Sequence, residues 1–129
     1  MQFTILRSTR VLAAALSFAA ISVAAQAGSI TSNLQIEPGQ TFELGGGQEG
    51  GFAVTGTNSG PVAVVVLGKA EGAAPVERGI IAPGAAVDAQ FAPGEMALLR
   101  NTSGQKTARL KLRITGDTSS LGMSYSGNR

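Results

Sequence analysis

The clearest pattern in this sequence lies in residues 106–116, which read KTARLKLRITG. The apolar residues of this segment are Ala108, Leu110, Leu112 and Ile114, and they alternate with Thr107, Arg109, Lys111, Arg113 and Thr115. A period of two over this length is typical of a β-strand with one buried face and one solvated face. Residues 96–100 predict another strand, and residues 101–105 predict a loop between the two. We therefore expect a β-hairpin over residues 96–116, with the rest of the domain built around it.

The first 27 residues have the three parts of a secretory signal peptide. Arg7 and Arg10 form a positive start, residues 11–23 are uncharged and mainly aliphatic, and an Ala-Gln-Ala sequence ends at Ala27. The apolar run is shorter than the roughly 20 residues of a membrane-spanning helix, which favours cleavage over a retained anchor. We expect cleavage after Ala27 and a periplasmic or extracellular protein. The alanine-rich signal favours bacterial export.

Cleavage would leave residues 28–129, a length typical of one small domain. The chain contains no cysteine, so neither a disulfide nor a lipidated cysteine can form. Loss of Arg7 and Arg10 leaves eight basic and eight acidic residues, and the net charge falls from +2 to about zero. The basic character of the whole sequence is therefore no reason to expect a nucleic-acid partner. No transmembrane segment is expected after signal removal.

Short segments with strand-like patterns alternate with turn residues through this domain. Besides the hairpin, strands are predicted at residues 40–44, 52–57, 62–67, 76–81, 86–91 and 121–126, while residues 28–35 are either a disordered leader or an edge strand. Pro-Gly pairs at 38–39, 83–84 and 93–94 predict tight turns with a positive φ at glycine. Residues 36–43 and 81–88 share a pattern, which we attribute to two strands entered by the same turn.

The strand at 62–67 has apolar residues on both faces, which indicates two stacked sheets rather than one. Seven to nine short strands without a helical period predict an all-β fold. We expect a small antiparallel β-sandwich of immunoglobulin-like or jelly-roll type. Residues 45–51, GGGQEGG, resemble a phosphate-binding loop only in glycine content. No Gly-Lys-Ser/Thr follows them, so we interpret them as a flexible connection.

The composition excludes several kinds of catalytic site. With no histidine and no cysteine, the chain cannot form Ser-His-Asp or Cys-His nucleophiles or the usual zinc and copper sites. The acidic residues are spread along the chain, so a hydrolase that uses carboxylates alone is a distant third hypothesis, and a calcium site is not expected. There is no tryptophan for sugar stacking, and Tyr125 is predicted at the edge of the core. We expect no enzymatic activity, no cofactor and no metal.

Charge is unevenly distributed along the sequence. Residues 28–99 contain seven acidic and two basic residues, whereas residues 100–129 contain six basic residues and one acidic residue. The candidate partner-binding residues are Arg100, Lys106, Arg109, Lys111 and Arg113.

This asymmetry supports two hypotheses. In the preferred one, the protein binds an unknown protein or envelope component, or assembles structurally, and its basic strand is solvated or paired with acidic strands in the fold or in another copy. In the alternative, residues 106–115 dock an anionic partner such as lipopolysaccharide, an acidic polysaccharide or another polyanion.

Overall fold

The computed structural model describes residues 28–128, which form nine β-strands. The strands are β1 (Gly28–Ile36), β2 (Gln40–Gly45), β3 (Phe52–Asn58), β4 (Val64–Lys69), β5 (Val76–Ile81), β6 (Ala86–Phe91), β7 (Met96–Asn101), β8 (Ala108–Gly116) and β9 (Met123–Gly127). All paired strands are antiparallel. A four-stranded sheet has the order β1-β8-β3-β6, and a five-stranded sheet has the order β5-β4-β7-β2-β9. The predicted all-β sandwich is therefore confirmed.

Two expectations about the N-terminal part have different outcomes. Residues 28–36 form an edge strand rather than a disordered leader. The predicted signal peptide lies outside the described residues. Within residues 28–128, no helix is long and apolar enough to cross a membrane.

The core fills the space between the two sheets, and β8 contributes one side of it. Its apolar residues are at most 2% exposed, whereas Arg109, Lys111 and Arg113 between them are exposed. The alternation in the sequence therefore predicted the buried face of β8 correctly. The four apolar residues of β8 pack in the same cluster as Phe52 and Phe91, whose rings stack at 5.1 Å.

A second apolar cluster lies on the outer face of the five-stranded sheet. Val64 and Val66 of β4 belong to the main core, whereas Val65 and Leu67 project from the opposite face and pack with Leu98 of β7. This confirms that β4 has buried apolar residues on both faces. The outward side chains of β4 pack against Leu98, so β7 lies next to β4.

The predicted hairpin over residues 96–116 is wrong, because β7 and β8 belong to different sheets. β7 lies between β4 and β2, where Leu98 and Leu99 are both buried on opposite faces. In a hairpin with β8, one of these leucines would lie on the solvated face beside lysine and arginine. The connection instead crosses between the layers, and the Asn101 amide fastens it by donating to the carbonyls of Ile36 (2.9 Å) and Lys106 (2.8 Å).

The strand order repeats between the two sheets. Each of the first four strands can be exchanged with the strand four positions later, so that β1 and β5, β2 and β6, β3 and β7, and β4 and β8 change places. This exchange turns the order β1-β8-β3-β6 into β5-β4-β7-β2, which is the order of the other sheet without β9. Equivalent turns occupy equivalent places, since Gly39 (φ 75°) follows β1 and Gly84 (φ 82°) follows β5. The shared sequence pattern at 36–43 and 81–88 thus marks two strands entered by the same turn, as expected.

The glycine-rich segment connects β2 to β3, but its hydrogen bonds hold it in a defined shape. Gln48 is 4% exposed, and its amide donates to the Glu95 carbonyl at 2.9 Å while its side-chain oxygen accepts the N–H of Gly46 at 2.7 Å. Gly45, Gly46 and Gly47 all have positive φ, which leaves little alternative to glycine there.

Candidate functional site

Three cations line the outer face of the four-stranded sheet. Arg109, Lys111 and Arg113 are exposed and project from the same side of β8, because their neighbours in the strand are buried. Alternate residues of a strand are roughly 6.6 Å apart, so the three charges form a regular row. β8 is an interior strand, which places this row along the middle of an open sheet surface. We call these three residues the basic face.

The strands on both sides of the basic face are uncharged where they meet it. On β1, Gln35, Asn33 and Thr31 lie opposite Arg109, Lys111 and Arg113. On β3, Thr57 lies opposite Lys111 and Thr55 lies opposite Arg113. The hypothesis that an acidic strand of the same domain pairs with the basic strand is therefore wrong.

Two acidic residues lie near the basic face without pairing with it. Asp88 on β6 is separated from Arg113 by Thr55, which lies opposite both. Glu37 follows β1 and accepts a hydrogen bond from the Thr107 hydroxyl at 3.1 Å. Within residues 28–128 the ion pair is between Arg78 and Glu95, with a distance of 3.1 Å from Nη1 to Oε2. In this part of the chain, the basic face therefore has no counter-ion within salt-bridge distance.

The other two candidate cations lie elsewhere. Arg100 is half-buried on the outer face of the five-stranded sheet, where Val65 and Thr41 are its cross-strand neighbours. Its charge belongs to the basic C-terminal part of the sequence, but its position in the other sheet separates it from the basic face. Lys106 is exposed in the loop before β8, and its carbonyl accepts the hydrogen bond from Asn101.

The chemistry of the basic face suits oxyanions. Arginine and lysine supply charge and several N–H donors, and the flanking amides and hydroxyls add neutral donors. An open face suits a ligand whose anionic groups repeat along its length.

Several carboxylates of the described residues serve local structure. Asp117 accepts the N–H of Gly50 at 2.8 Å, and Glu95 accepts the N–H of Ala92 at 2.8 Å besides pairing with Arg78. In residues 28–128, no three acidic side chains come together in a way that could hold a metal ion.

Sequence reasoning missed one further surface, at the margin of the sandwich where β1 and β9 meet. Met123 and Tyr125 of β9 are 47% and 49% exposed there. The alternation of apolar and polar residues at this end of the sequence predicts strand β9. It does not show that β9 extends beyond the edge of the four-stranded sheet.

Comparisons with family models, curated proteins and solved structures gave no match to this chain.

Proposed function

We propose that this chain is an exported, non-enzymatic β-sandwich domain that binds an anionic polymer through its basic face. Acidic polysaccharides and lipopolysaccharide, which present repeated carboxylate or phosphate groups, belong to this class. The observation that carries the proposal is the absence of acidic residues opposite the basic face on β1 and β3. The proposed site of action is the periplasm or the cell exterior.

The electrostatics of the row support this choice. Its charges are spaced at roughly 6.6 Å, which is within the Debye length of about 8 Å at physiological salt, so neighbouring cations repel each other in spite of screening. Uncharged neighbours in the sheet do not offset this repulsion. A bound polyanion would offset it, and an exposed row of like charge also accelerates the association of oppositely charged ligands.

A protein-binding or structural role is the second candidate function. It is favoured by the outer apolar cluster of the five-stranded sheet, where Ile80, 62% exposed, lies opposite Val65 and extends the cluster to edge strand β5. Such a partner would contact the face opposite to the basic one. The two candidates therefore predict different effects of removing the basic face.

The test of the polyanion proposal is retention on immobilised dextran sulfate, with neutral dextran as the control matrix. The test variant carries Arg109→Gln, Lys111→Gln and Arg113→Gln. The matched control carries Lys69→Gln, Arg100→Gln and Lys106→Gln, which removes the same charge from other places. Wild type and control should be retained and eluted by salt, and the test variant should pass through. Equal loss in both variants, or no retention of the wild type, would contradict the proposal.

Export is tested on the same preparation. When the full sequence is expressed in a bacterial host, the intact mass of the protein recovered from the periplasm or medium should correspond to a chain that begins at Gly28. Recovery of the whole chain from the cytoplasm would rule out the proposed compartment, and the binding result would stand separately.

A further inference from the structure

The five-stranded sheet extends one strand beyond its partner. β9 pairs with β2 so that Tyr125 lies opposite Phe42 and Met123 lies opposite Leu44. Because directly opposed residues of antiparallel strands project from the same face, Met123 and Tyr125 point to the side that holds the core. Phe42 and Leu44 are at most 4% exposed, yet their β9 partners are about half exposed. The inner face of β9 therefore lacks the cover that β2 has.

The strand bordering this uncovered face is β1. The Tyr125 hydroxyl donates to the Gln35 carbonyl at 3.0 Å, so β1 lies beside the ring and ends the four-stranded sheet there. One more strand on the free edge of β1 would lie over Met123 and Tyr125. We call this combination of the β1 edge and the β9 inner face the β1–β9 step.

The backbone of β1 is oriented to accept such a strand. The Arg109 carbonyl accepts an N–H from Ser59 on the β3 side of β8, so the backbone groups of Arg109 face away from β1. Gln35 lies opposite Arg109, and in an antiparallel pair its own N–H and C=O must then face away from β8. Since orientation alternates, the backbone groups of Asn33 and Thr31 also face the free edge.

Edge strands are usually protected by charges, bulges or shortness, and β1 has none of these. It is nine residues long and uncharged. By contrast, β5 is six residues long, carries Glu77 and Arg78 and shifts register against β4, while β6 has Asp88 in its middle. Of the four edge strands, β1 is also the one that borders the exposed residues of β9.

We propose that the β1–β9 step binds a single extended segment of a partner protein, which adds to β1 as a fifth strand of the four-stranded sheet. The Gln35 carbonyl already accepts the Tyr125 hydroxyl, so the segment bonds to the outward backbone groups of Thr31 and Asn33, and its alternate side chains cover Met123 and Tyr125. Main-chain hydrogen bonds supply affinity and the alternate side chains supply specificity in this mode of recognition. The surface is built from β1 and β9 beside the basic face, and its ligand is a polypeptide strand, so the inference goes beyond the proposed function.

The geometry disfavours the folded β1 of a second copy as the occupant. A second β1 paired edge to edge would bring its own β2 beneath it, in the space that β9 already fills. A segment that is not packed on a sheet of its own avoids this conflict.

The positive charge of the basic face favours particular side chains on the outer side of the docked segment. The strand next to β1 would lie two strand spacings from β8, roughly 10 Å, with only short polar side chains such as Thr31 and Asn33 between. Long cationic side chains on β8 can reach across them, so acidic residues are favoured on the outer side. The expected partner segment therefore alternates apolar and acidic residues.

The test uses a fluorescein-labelled peptide, acetyl-(Val-Glu)4-amide, and the chain as recovered after expression of the full sequence. Fluorescence anisotropy should show saturable binding of this peptide. The (Ser-Glu)4 peptide, which lacks the apolar side, and the (Val-Lys)4 peptide, which has the wrong charge, should each bind at least tenfold more weakly. Absence of saturable (Val-Glu)4 binding to the folded protein would overturn the proposal.

Two variants locate the binding. Asn33→Pro removes an outward N–H and leaves the hydrogen bonds to β8, so it should weaken binding at least tenfold, whereas Asn33→Ala should stay within about threefold of wild type. Met123→Ser, which needs no backbone change, should also weaken peptide binding but leave dextran sulfate retention unchanged. The assignment would be contradicted if Asn33→Pro and Asn33→Ala bound the peptide with equal affinity. If the proline variant does not fold, an unchanged peptide affinity of Met123→Ser would contradict it. A wild-type dimer dissociated by Asn33→Pro would place a second copy there instead.

Discussion

Two asparagine side chains join the layers of this sandwich at the scale of single residues. Asn58 at the end of β3 donates to the Ile81 carbonyl in the other sheet at 2.9 Å, and Asn101 at the end of β7 donates to the Ile36 carbonyl in the other sheet at 2.9 Å. Both are at most 2% exposed, and each also accepts the N–H of the residue two positions on. Such buried amides are stable only when their hydrogen bonds are made.

Substitution of Asn101 should reveal this role. Asn101→Ala leaves the carbonyls of Ile36 and Lys106 without that donor, and we expect the free energy of unfolding to fall by roughly 2–4 kcal/mol. Thr102→Ala, the neighbouring control, removes one exposed hydroxyl that donates to the Ala63 carbonyl and should cost under about 1 kcal/mol. Urea denaturation measures both. Equal losses would mean that the Asn101 amide does not hold the crossing loop.

At the scale of secondary-structure elements, β8 is where sequence pattern and tertiary position agree best. It is paired on both sides, by β1 and β3, and its apolar residues fill the middle of the core. Its exposed residues take part in no ion pair within residues 28–128. The two faces of the strand should therefore respond very differently to truncation.

The comparison of Leu112→Ala with Lys111→Ala tests this difference. Leu112 is 2% exposed, and its truncation should destabilise the domain by roughly 2–4 kcal/mol through lost burial and a cavity. Lys111→Ala should change stability by less than about 1 kcal/mol, since it removes a solvated charge that repels its neighbours. Chemical denaturation provides the values. Similar losses for the two variants would show that the buried and exposed faces of β8 are wrongly assigned.

The sequence could predict features that depend on local interactions but not features that depend on interactions between distant residues. The pattern of apolar and polar residues depends on one strand at a time. It predicted eight of the nine strands and both faces of β8 and β4, and it left β1 undecided between an edge strand and a disordered leader. Pairing depends on residues far apart, such as Gln35 and Arg109, for which no local signal exists. The predicted hairpin was wrong for this reason, and no local signal could show that Arg100 lies in a different sheet from Arg109.

The same reasoning explains what was missed around the site. Asp88 and the other acids balance the charge of the domain, but only the register shows that uncharged residues flank the basic face. The β1–β9 step depends on which strands end each sheet. Neither property can be read from composition or periodicity.

At the scale of the whole molecule, the outer faces of the two sheets differ although the strand orders of the sheets are equivalent. β4 and β8 occupy equivalent positions in the two sheets, yet β4 presents Val65 and Leu67 outward where β8 presents charged residues such as Lys111 and Arg113. One face therefore has a buried apolar cluster at its centre, and the other has a row of exposed cations. This contrast indicates that the charge on β8 is not a general requirement of the fold.

A thermal melt at low salt tests whether the fold leaves the basic face without compensating charge. At about 0.01 M salt the Debye length is about 30 Å, so repulsion within the row is at its largest. The variant with Arg109→Gln, Lys111→Gln and Arg113→Gln should then have a Tm equal to or above that of the wild type. The Tm of the wild type should rise more with added salt than that of the variant. A variant that melts below the wild type at low salt, with the difference disappearing at high salt, would show that these cations are paired within the fold and would contradict the account.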